Sequence, residues 1–255
     1  MDTRIASLIE RGALFVINHS TGKDSQAMTI ALRKIVPAAQ LLVIHADLGE
    51  IEWDGNVDHI RATIGDLPLV VCRNENKTFL EMVERRGMWP SASQRQCTSD
   101  LKRDPINREI RRYLKANPQF NGLVVNCMGI RAAESPARSK QTPFRVNQGQ
   151  SIAGREWYDW LPIFDLTTDE VFAQIADAGQ KPHPAYAAGM SRLSCVFCIM
   201  ASKSDLRTAA RLKPALYRRY VETERRIGHT FSMSRQPLEE VTGVYLPNSA
   251  QLSLF

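Results

Sequence analysis

The 255-residue sequence has no apolar run near the roughly 18 residues that a membrane-spanning helix requires. It also lacks a secretory signal pattern, an internal repeat and a low-complexity linker. Cysteine is scarce, with five in the chain, which excludes a secreted scaffold held together by disulfides. These absences predict a cytoplasmic globular protein that does not interact with membranes.

The formal net charge is +6, and much of the positive charge lies in the C-terminal stretch "SKSDLRTAARLKPALYRRYVETERRIGH". A basic face of this kind favours a polyanionic partner such as DNA or RNA. The alternative is a solvated helix face with no partner. Composition alone leaves both interpretations open, and it leaves a homodimer open as well.

Apolar strand-like runs alternate with segments of helical spacing along most of the chain. The predicted strands are "ALFVINHS", "QLLVIHADLG", "PLVVCRN" and "GLVVNCMGIR". This order predicts an α/β fold: a parallel twisted sheet with helices on both faces, which spans residues 1–200. Residues 201–255 are predicted to form a basic helical extension packed on it. Residues 139–157 are polar and without periodicity, and we expect a mobile active-site loop there.

The stretch "NHSTGKDSQAM" follows the first predicted strand and opens the first long helix. It is not a Walker A loop, because the residue five before Gly22 is Ile17 and Lys23 is followed by Asp24. Backbone N–H groups at the helix start predict an anion site, with donors from Lys23 and from the hydroxyls of Ser20, Thr21 and Ser25. The alternative is an ordinary helix-capping turn.

This loop resembles the PP-loop of ATP pyrophosphatases, whose usual form is S-G-G-x-D-S, with Thr21 replacing the middle glycine. Four further motifs resemble the phosphoadenosine phosphosulfate reductase-like branch of that family: "RQCTSDLKRDPI", "GIRAAES", "LPIFDLTTDEVFAQI" and "HPAYAAGMSRLSCVFC". The resemblance implies an adenine nucleotide alpha hydrolase-like fold. It also implies cleavage of ATP between its α and β phosphates, with the pyrophosphate held by the loop.

The resemblance also implies roles for residues that follow other strands. Asp47 is expected to bind the nucleotide or Mg²⁺, although it can also cap the next helix. Gly129 and Arg131, after the fourth strand, are expected at the nucleotide and the phosphates; the alternative for Arg131 is a salt bridge with Glu134. Lys23, Asp24 and Arg131 are the predicted catalytic residues. His183 lies between prolines, and we interpret it as part of a rigid turn.

The cysteines fall into two groups. Cys72 and Cys127 lie in apolar strands and are predicted to be buried small hydrophobes. Cys195 and Cys198 form a C-x-x-C pattern, and the family fold would bring Cys97 near them. Three thiolates favour a [4Fe-4S] cluster with one iron open to an exogenous ligand, as in relatives that thiolate nucleic acids. A zinc site, a redox pair and inert thiols are the alternatives.

Three basic residues, Arg95, Lys102 and Arg192, flank these cysteines and are expected to bind an anionic acceptor or to stabilise a thiolate. Reductases of this branch carry a C-terminal E-C-G-x-H cysteine tail, whereas no cysteine follows Cys198, so a reductase is not the primary interpretation. The nearest resemblance is to the ATP pyrophosphatases of DNA phosphorothioation systems. It implies adenylation of a nucleic-acid backbone phosphate, a cysteine desulfurase as sulfur donor, and nucleic-acid-handling partner proteins. A transfer RNA thiolase, a phosphoadenosine phosphosulfate reductase and a non-catalytic nucleotide-binding regulator are the alternatives.

Overall fold

The computed structural model describes residues 2–247, which divide into two compact units. The first unit takes in residues 2–47, 55–73 and 103–183. The second takes in residues 48–54, 74–102 and 184–247. Within the described part of the chain, no helix combines the length and apolar character needed to cross a membrane.

The first unit contains a six-stranded sheet with the strand order β3-β2-β1-β4-β6-β5. Its strands are β1 (Leu14–Asn18), β2 (Leu41–Ala46), β3 (Leu69–Cys72), β4 (Leu123–Cys127), β5 (Phe144–Val146) and β6 (Glu156–Trp160). All neighbouring pairs are parallel except β5, which runs antiparallel to β6. The predicted α/β fold class is confirmed, with an antiparallel strand added at one edge.

The described helices, numbered along the whole chain, are α1 (Thr3–Glu10), α2 (Lys23–Ile35), α3 (Asn56–Ile64), α4 (Phe79–Arg86), α5 (Gln96–Thr98), α6 (Asp104–Ala116), α7 (Pro136–Ser139), α8 (Thr168–Asp177), α9 (Lys203–Leu212), α10 (Pro214–Ile227) and α11 (Leu238–Thr242). A π-helical turn, Ser99–Arg103, leads into α6. The segments of helical spacing that follow the first three predicted strands, "DSQAMTIALRKIV", "WDGNVDHIRATIG" and "KTFLEMVERRG", correspond to α2, α3 and α4.

Alternating residues of the buried strands form two separate cores, one on each face of the sheet. On one face, Phe15 and Val43 pack with apolar residues of α1, α2 and α3. On the other, Val16 and Ile44 pack with apolar residues of α6. Successive strand residues point to opposite faces, so runs that are apolar throughout predict a sheet covered on both sides.

The expectation of an irregular loop over residues 139–157 is wrong, because β5 and the beginning of β6 lie in this stretch. Trp157 is fully buried, and β5 pairs with β6 with Arg145 opposite Asp159. Strand formation here depends on this cross-strand pairing rather than on an apolar run. The sequence of this stretch therefore has no local pattern that predicts a strand.

The second unit has its own core, built from three separated stretches of sequence. Trp53, Trp89, Phe197, Tyr217 and Tyr220 are among its buried side chains. The sequence prediction placed a boundary at residue 200, whereas the last stretch of this unit begins at residue 184. Helices α9, α10 and α11 lie in the predicted basic extension, and residues 248–255 of that extension lie outside the described residues.

Candidate active site

The connection between β1 and α2 has the features of an anion site. Helix α2 begins at Lys23, and its N-cap is Gly22, which has no side chain to cap the first N–H groups. The helix is 13 residues long, and its N-terminus carries a partial positive charge. Backbone N–H groups and the helix dipole therefore favour a phosphate at this end.

Two buried hydroxyls hold the loop from within. Ser25 Oγ donates to the Gly22 carbonyl at 2.8 Å and accepts from the Ser20 amide at 3.2 Å. Thr21 Oγ1 donates to the Ser20 carbonyl. These bonds use the Ser25 and Thr21 protons to shape the loop, while the Ser20 residue is exposed. Contact between these hydroxyls and a bound phosphate stays a prediction.

Three charged side chains, Lys23, Asp24 and Arg131, lie together at the start of α2. Asp24 accepts from Lys23 Nζ at 3.1 Å and from Arg131 Nε at 2.6 Å. Arg131 is only 2% exposed, and its other nitrogens donate to the Leu166 carbonyl at 3.0 Å and to Thr168 Oγ1 at 3.3 Å. Arg131 therefore fixes the Asp24 carboxylate beside the loop. Contact between Arg131 and the phosphates stays a prediction.

Gly129 lies where the segment after β4 crosses the first turn of α2. A Cβ atom at this position would lie 3.1 Å from the Asp24 carbonyl carbon and 3.2 Å from the Ser25 amide nitrogen. Both are backbone atoms, so a side chain here would displace the turn that presents the loop. Because Gly129 has no side chain, the segment after β4 can pack directly against the first turn of α2, at the predicted phosphate site.

Asp47 lies just beyond β2, at the same carboxyl edge of the sheet. Its amide donates to the Cys72 carbonyl at 2.8 Å, and its carboxylate forms an ion pair with Arg73 at 3.1 Å. This edge therefore carries a carboxylate from β2 next to the loop from β1, as ligand sites in parallel sheets do. A role at the nucleotide or Mg²⁺ stays a prediction.

A buried polar network at this edge was missed from the sequence. Asn18 Nδ2 donates to Asn126 Oδ1 at 2.7 Å, and Asn126 Nδ2 donates to Asp159 Oδ1 at 3.0 Å. Asp159 is buried and also accepts from Arg145 and Asn147. The network links β1, β4 and β6. An asparagine near the end of two otherwise apolar strands was the signal that could have revealed it.

The first unit also gathers four histidines, of which the sequence singled out only one. Burial, followed by the neighbouring His45 and His59, lowers the pKa of His19 to about 3. Burial and His59 lower the pKa of His183 to about 4, and the His59 and His183 rings lie 5.1 Å apart. The His19 and His183 imidazoles are therefore neutral at physiological pH.

The three predicted cysteines meet within the second unit. Cys97, Cys195 and Cys198 each raise the pKa of Lys102, with Cys195 the largest influence. Burial raises the pKa of Cys195 to about 11, while Lys102 opposes that shift. Burial likewise raises the pKa of Cys97. The buried Tyr220 hydroxyl close to these thiols has no hydrogen-bond partner among the described residues.

This thiol group does not fit a resident metal as it stands. Across residues 2–247, no group of three or more His, Cys, Asp or Glu side chains is arranged to hold a metal ion. The described residues therefore support neither the iron–sulfur cluster nor the zinc alternative. All five cysteines are free thiols, and Cys72 and Cys127 are buried, as predicted.

A cavity of about 530 Å³ lies in the second unit, lined by residues that precede and follow Cys97 in the sequence. Its lining residues are Arg86, Gln94, Arg95, Gln96 and Ser99. Arg86 donates to Gln96 at 2.9 Å, and Arg95 is exposed. Two guanidinium groups with amide and hydroxyl neighbours suit an anionic ligand, consistent with the role predicted for Arg95.

Lys213 and three basic side chains of α10 form ion pairs with nearby carboxylates. The ion pairs are Lys213–Asp54, Arg219–Glu50, Arg225–Glu239 and Arg226–Glu84. Surface pairs of this kind are weak and exchangeable, so a polyanion has to compete for these groups. Arg192 is partly exposed in the segment leading to Cys195.

Residues 15–201 match the phosphoadenosine phosphosulfate reductase domain. The chain belongs to this family. The matched range includes the loop after β1, Arg131 and all five cysteines of this chain. Membership establishes a nucleotide-processing type of domain. It leaves the reaction and the acceptor of this chain to be determined.

One relative of this chain is the "Uncharacterized 37.8 kDa protein in gpa 5'region" of Escherichia phage 186. It is 32% identical over 157 residues, which cover 62% of this chain and 45% of that protein. The aligned part is therefore less than half the length of the phage protein.

Two solved structures are similar in fold. The phosphoadenylyl-sulfate reductase of Candida auris, in a phosphate complex, has a TM-score of 0.48 and 13% identity, covering 71% of this chain and 80% of that one. FMN adenylyltransferase of Candida glabrata, in complex with FAD and inorganic pyrophosphate, has a TM-score of 0.44 and 12% identity, covering 72% and 55%. At this similarity neither neighbour indicates the activity of this chain.

Proposed function

We propose that this protein is an ATP pyrophosphatase that adenylates an acceptor, a nucleic-acid backbone phosphate, for sulfur incorporation as in DNA phosphorothioate modification. The observation that carries the proposal is the uncapped start of α2, with Lys23 and the Asp24–Arg131 pair beside it. A terminal pyrophosphate fits this combination because it offers several anionic oxygens to backbone N–H groups and an ammonium.

In the proposed reaction an acceptor oxygen attacks the α phosphorus of ATP, and the bond to the β-phosphate oxygen breaks. Pyrophosphate leaves with the electron pair of that bond. Lys23 and the first-turn N–H groups of α2 stabilise the leaving charge, and Arg131 positions the turn through Asp24. A sulfur nucleophile then displaces AMP from the acceptor, so that sulfur replaces oxygen. Positioning and charge neutralisation are enough for such a transfer.

Magnesium enters this scheme with ATP. Mg²⁺ usually binds through one or two carboxylates together with substrate phosphates, and Asp47 at the carboxyl edge supplies one carboxylate. When bound, the ion neutralises phosphate charge. The iron–sulfur cluster is not part of the proposal, because the described thiols do not form a metal-binding group.

The acceptor and partners rest on charge and on the family resemblance. Arg86 and Arg95 line an open cavity in the second unit, and Lys102 and Arg192 add positive charge in the same unit. A nucleic-acid phosphate suits this set of cations. A cysteine desulfurase, with a thiol reductant that releases its persulfide sulfur as sulfide, would supply the sulfur, and DNA-handling proteins would present the strand.

The test of nucleotide chemistry is pyrophosphate release from ATP, with Lys34→Ala as the matched control for Lys23→Ala. Both lysines lie on α2, but Lys23 is 6% exposed at the loop and Lys34 is exposed in the last turn. Lys23→Ala should slow release by about 10²-fold or more, and Lys34→Ala should leave it unchanged. Equal rates in all three proteins would remove the loop from the reaction.

The acceptor is tested separately with sulfur-35 cysteine, a desulfurase, a thiol reductant, ATP and either duplex DNA or transfer RNA. Label in DNA is expected. Label in RNA alone would favour the transfer RNA thiolase, and nucleotide binding without pyrophosphate release would favour a non-catalytic regulator.

A further inference from the structure

His19 lies directly before the loop and is held from both sides of its backbone. Its amide donates to the Ile44 carbonyl at 2.8 Å, and its carbonyl accepts from Nδ1 of His45 at 2.8 Å. The His19 side chain is only 2% exposed. The imidazole therefore has a fixed position beneath the loop, anchored to β2.

Thr21 adopts a backbone conformation that is unfavourable for its residue type. Its φ is +64°, in the left-handed region, where a β-branched side chain is a genuine outlier. The Thr21 amide donates to His19 Nδ1 at 3.2 Å. Glycine would adopt this conformation without strain. The hydrogen bond therefore lies where the loop needs support.

The direction of this hydrogen bond sets the tautomer of the neutral His19 ring. Because Nδ1 accepts, the proton of the neutral ring is on Nε2, and Nε2 has no hydrogen-bond partner among the described residues. The groups around the ring are His45 from β2, His59 from α3 and the Ser25 hydroxyl from α2, at 3.5 Å from Nδ1. No charged side chain is among these neighbours, and burial lowers the pKa of His19 to about 3.

We propose that His19 is a positioning residue: its neutral Nδ1 holds Thr21 in the left-handed conformation that gives the loop its anion-binding shape. It follows that His19 and Thr21 act as a pair. The Thr21 amide is committed to the ring, so a bound pyrophosphate is held by the N–H groups further along the loop and at the start of α2. This inference rests on the proposed function only for the identity of the anion.

The test is a double-mutant cycle on the full chain, with thermal unfolding and ATP affinity as readouts. His19→Phe keeps a ring but removes the acceptor. It should weaken ATP binding by about tenfold, as loss of one hydrogen bond predicts, and lower the unfolding midpoint by about 2–4 °C. In the Thr21→Gly background the same change should have little effect, because glycine needs no support.

Two further variants separate positioning from packing. His19→Asn retains an acceptor at the position of Nδ1 and should preserve most of the ATP affinity. His59→Phe changes a neighbouring histidine that does not bond to Thr21 in the structure, and its effect should be the same with Thr21 or glycine at position 21. Rescue by asparagine and coupling to position 21 are outcomes that a purely packing role would not produce.

The two possible failures are distinguishable. If the effects of His19→Phe and Thr21→Gly on the unfolding midpoint simply add, the positioning role is overturned, whatever the protein binds. If they are coupled but the parent binds neither ATP nor inorganic pyrophosphate, the positioning role stands and the proposed function fails.

Discussion

Replacing Arg131 with glutamine tests the charged group beside the loop. Arg131 is almost fully buried and binds Asp24 at 2.6 Å. Removing one partner of a buried ion pair costs about 3–5 kcal/mol, because the other charge stays behind. Asp24 keeps its ion pair with Lys23, and its side chain is 18% exposed, so the remaining carboxylate is partly compensated and the lower end, about 3 kcal/mol, is expected. For a chain of this size that corresponds to a fall of about 6–12 °C in the unfolding midpoint.

The matched control is Arg61→Gln, since Arg61 pairs with Asp58 on the exposed face of α3, where the two side chains are 67% and 84% exposed. That change should cost less than about 1 kcal/mol. In calorimetry the double variant Arg131→Gln/Asp24→Asn should recover part of the stability lost in Arg131→Gln, because the carboxylate that has lost its buried partner is removed. The reasoning is refuted if the two arginine variants unfold within about 1 °C of each other.

Further predictions follow from close packing, thiol environment and protonation. Gly129→Ala should weaken ATP affinity measured by titration calorimetry, since its Cβ would press on the backbone of α2; Gly149→Ala, whose nearest neighbour would be 3.6 Å away, should not. Lys102→Gln should slow iodoacetamide alkylation of Cys195, quantified by mass spectrometry, because Lys102 opposes the burial that raises the pKa of this thiol to about 11; an unchanged rate would contradict that contact. The folded pKa of His19, about 3, is below its unfolded value, so the unfolded state binds more protons below pH 6.5 and stability falls with falling pH. Between pH 7 and pH 5 the loss should be about 2 kcal/mol in urea unfolding, and His19→Asn should remove that part of the pH dependence.

The sheet could be predicted because its strands are local signals. The apolar runs at β1, β2 and β4 have no polar interruption before their last residues, and helical spacing separates them. The β5–β6 hairpin could not be predicted in this way. Its stability depends on pairings such as Arg145 opposite Asp159, which become neighbours only after folding.

The site was predicted in part, for the same physical reason. Residue types and strand ends located the loop, since ligands gather at the carboxyl edge of parallel strands. The sequence did not reveal that Arg131 would bind Asp24, that Thr21 would have positive φ, or that His19 would accept its amide. These contacts depend on side-chain directions set by tertiary packing. The sequence also did not show that carboxylates from distant segments would pair with the basic residues of α10. Arg219, which pairs with Glu50, is an example.

The most direct test of the central claim is the identity of the products formed from ATP. ATP labelled at the α phosphate and ATP labelled at the γ phosphate are each incubated with the protein and nucleic acid, and the products are separated. The proposal predicts AMP, free or attached to the acceptor, in a one-to-one ratio with pyrophosphate, and loss of both products in Lys23→Ala. Formation of ADP and inorganic phosphate would show cleavage at the other phosphate bond and would contradict the account.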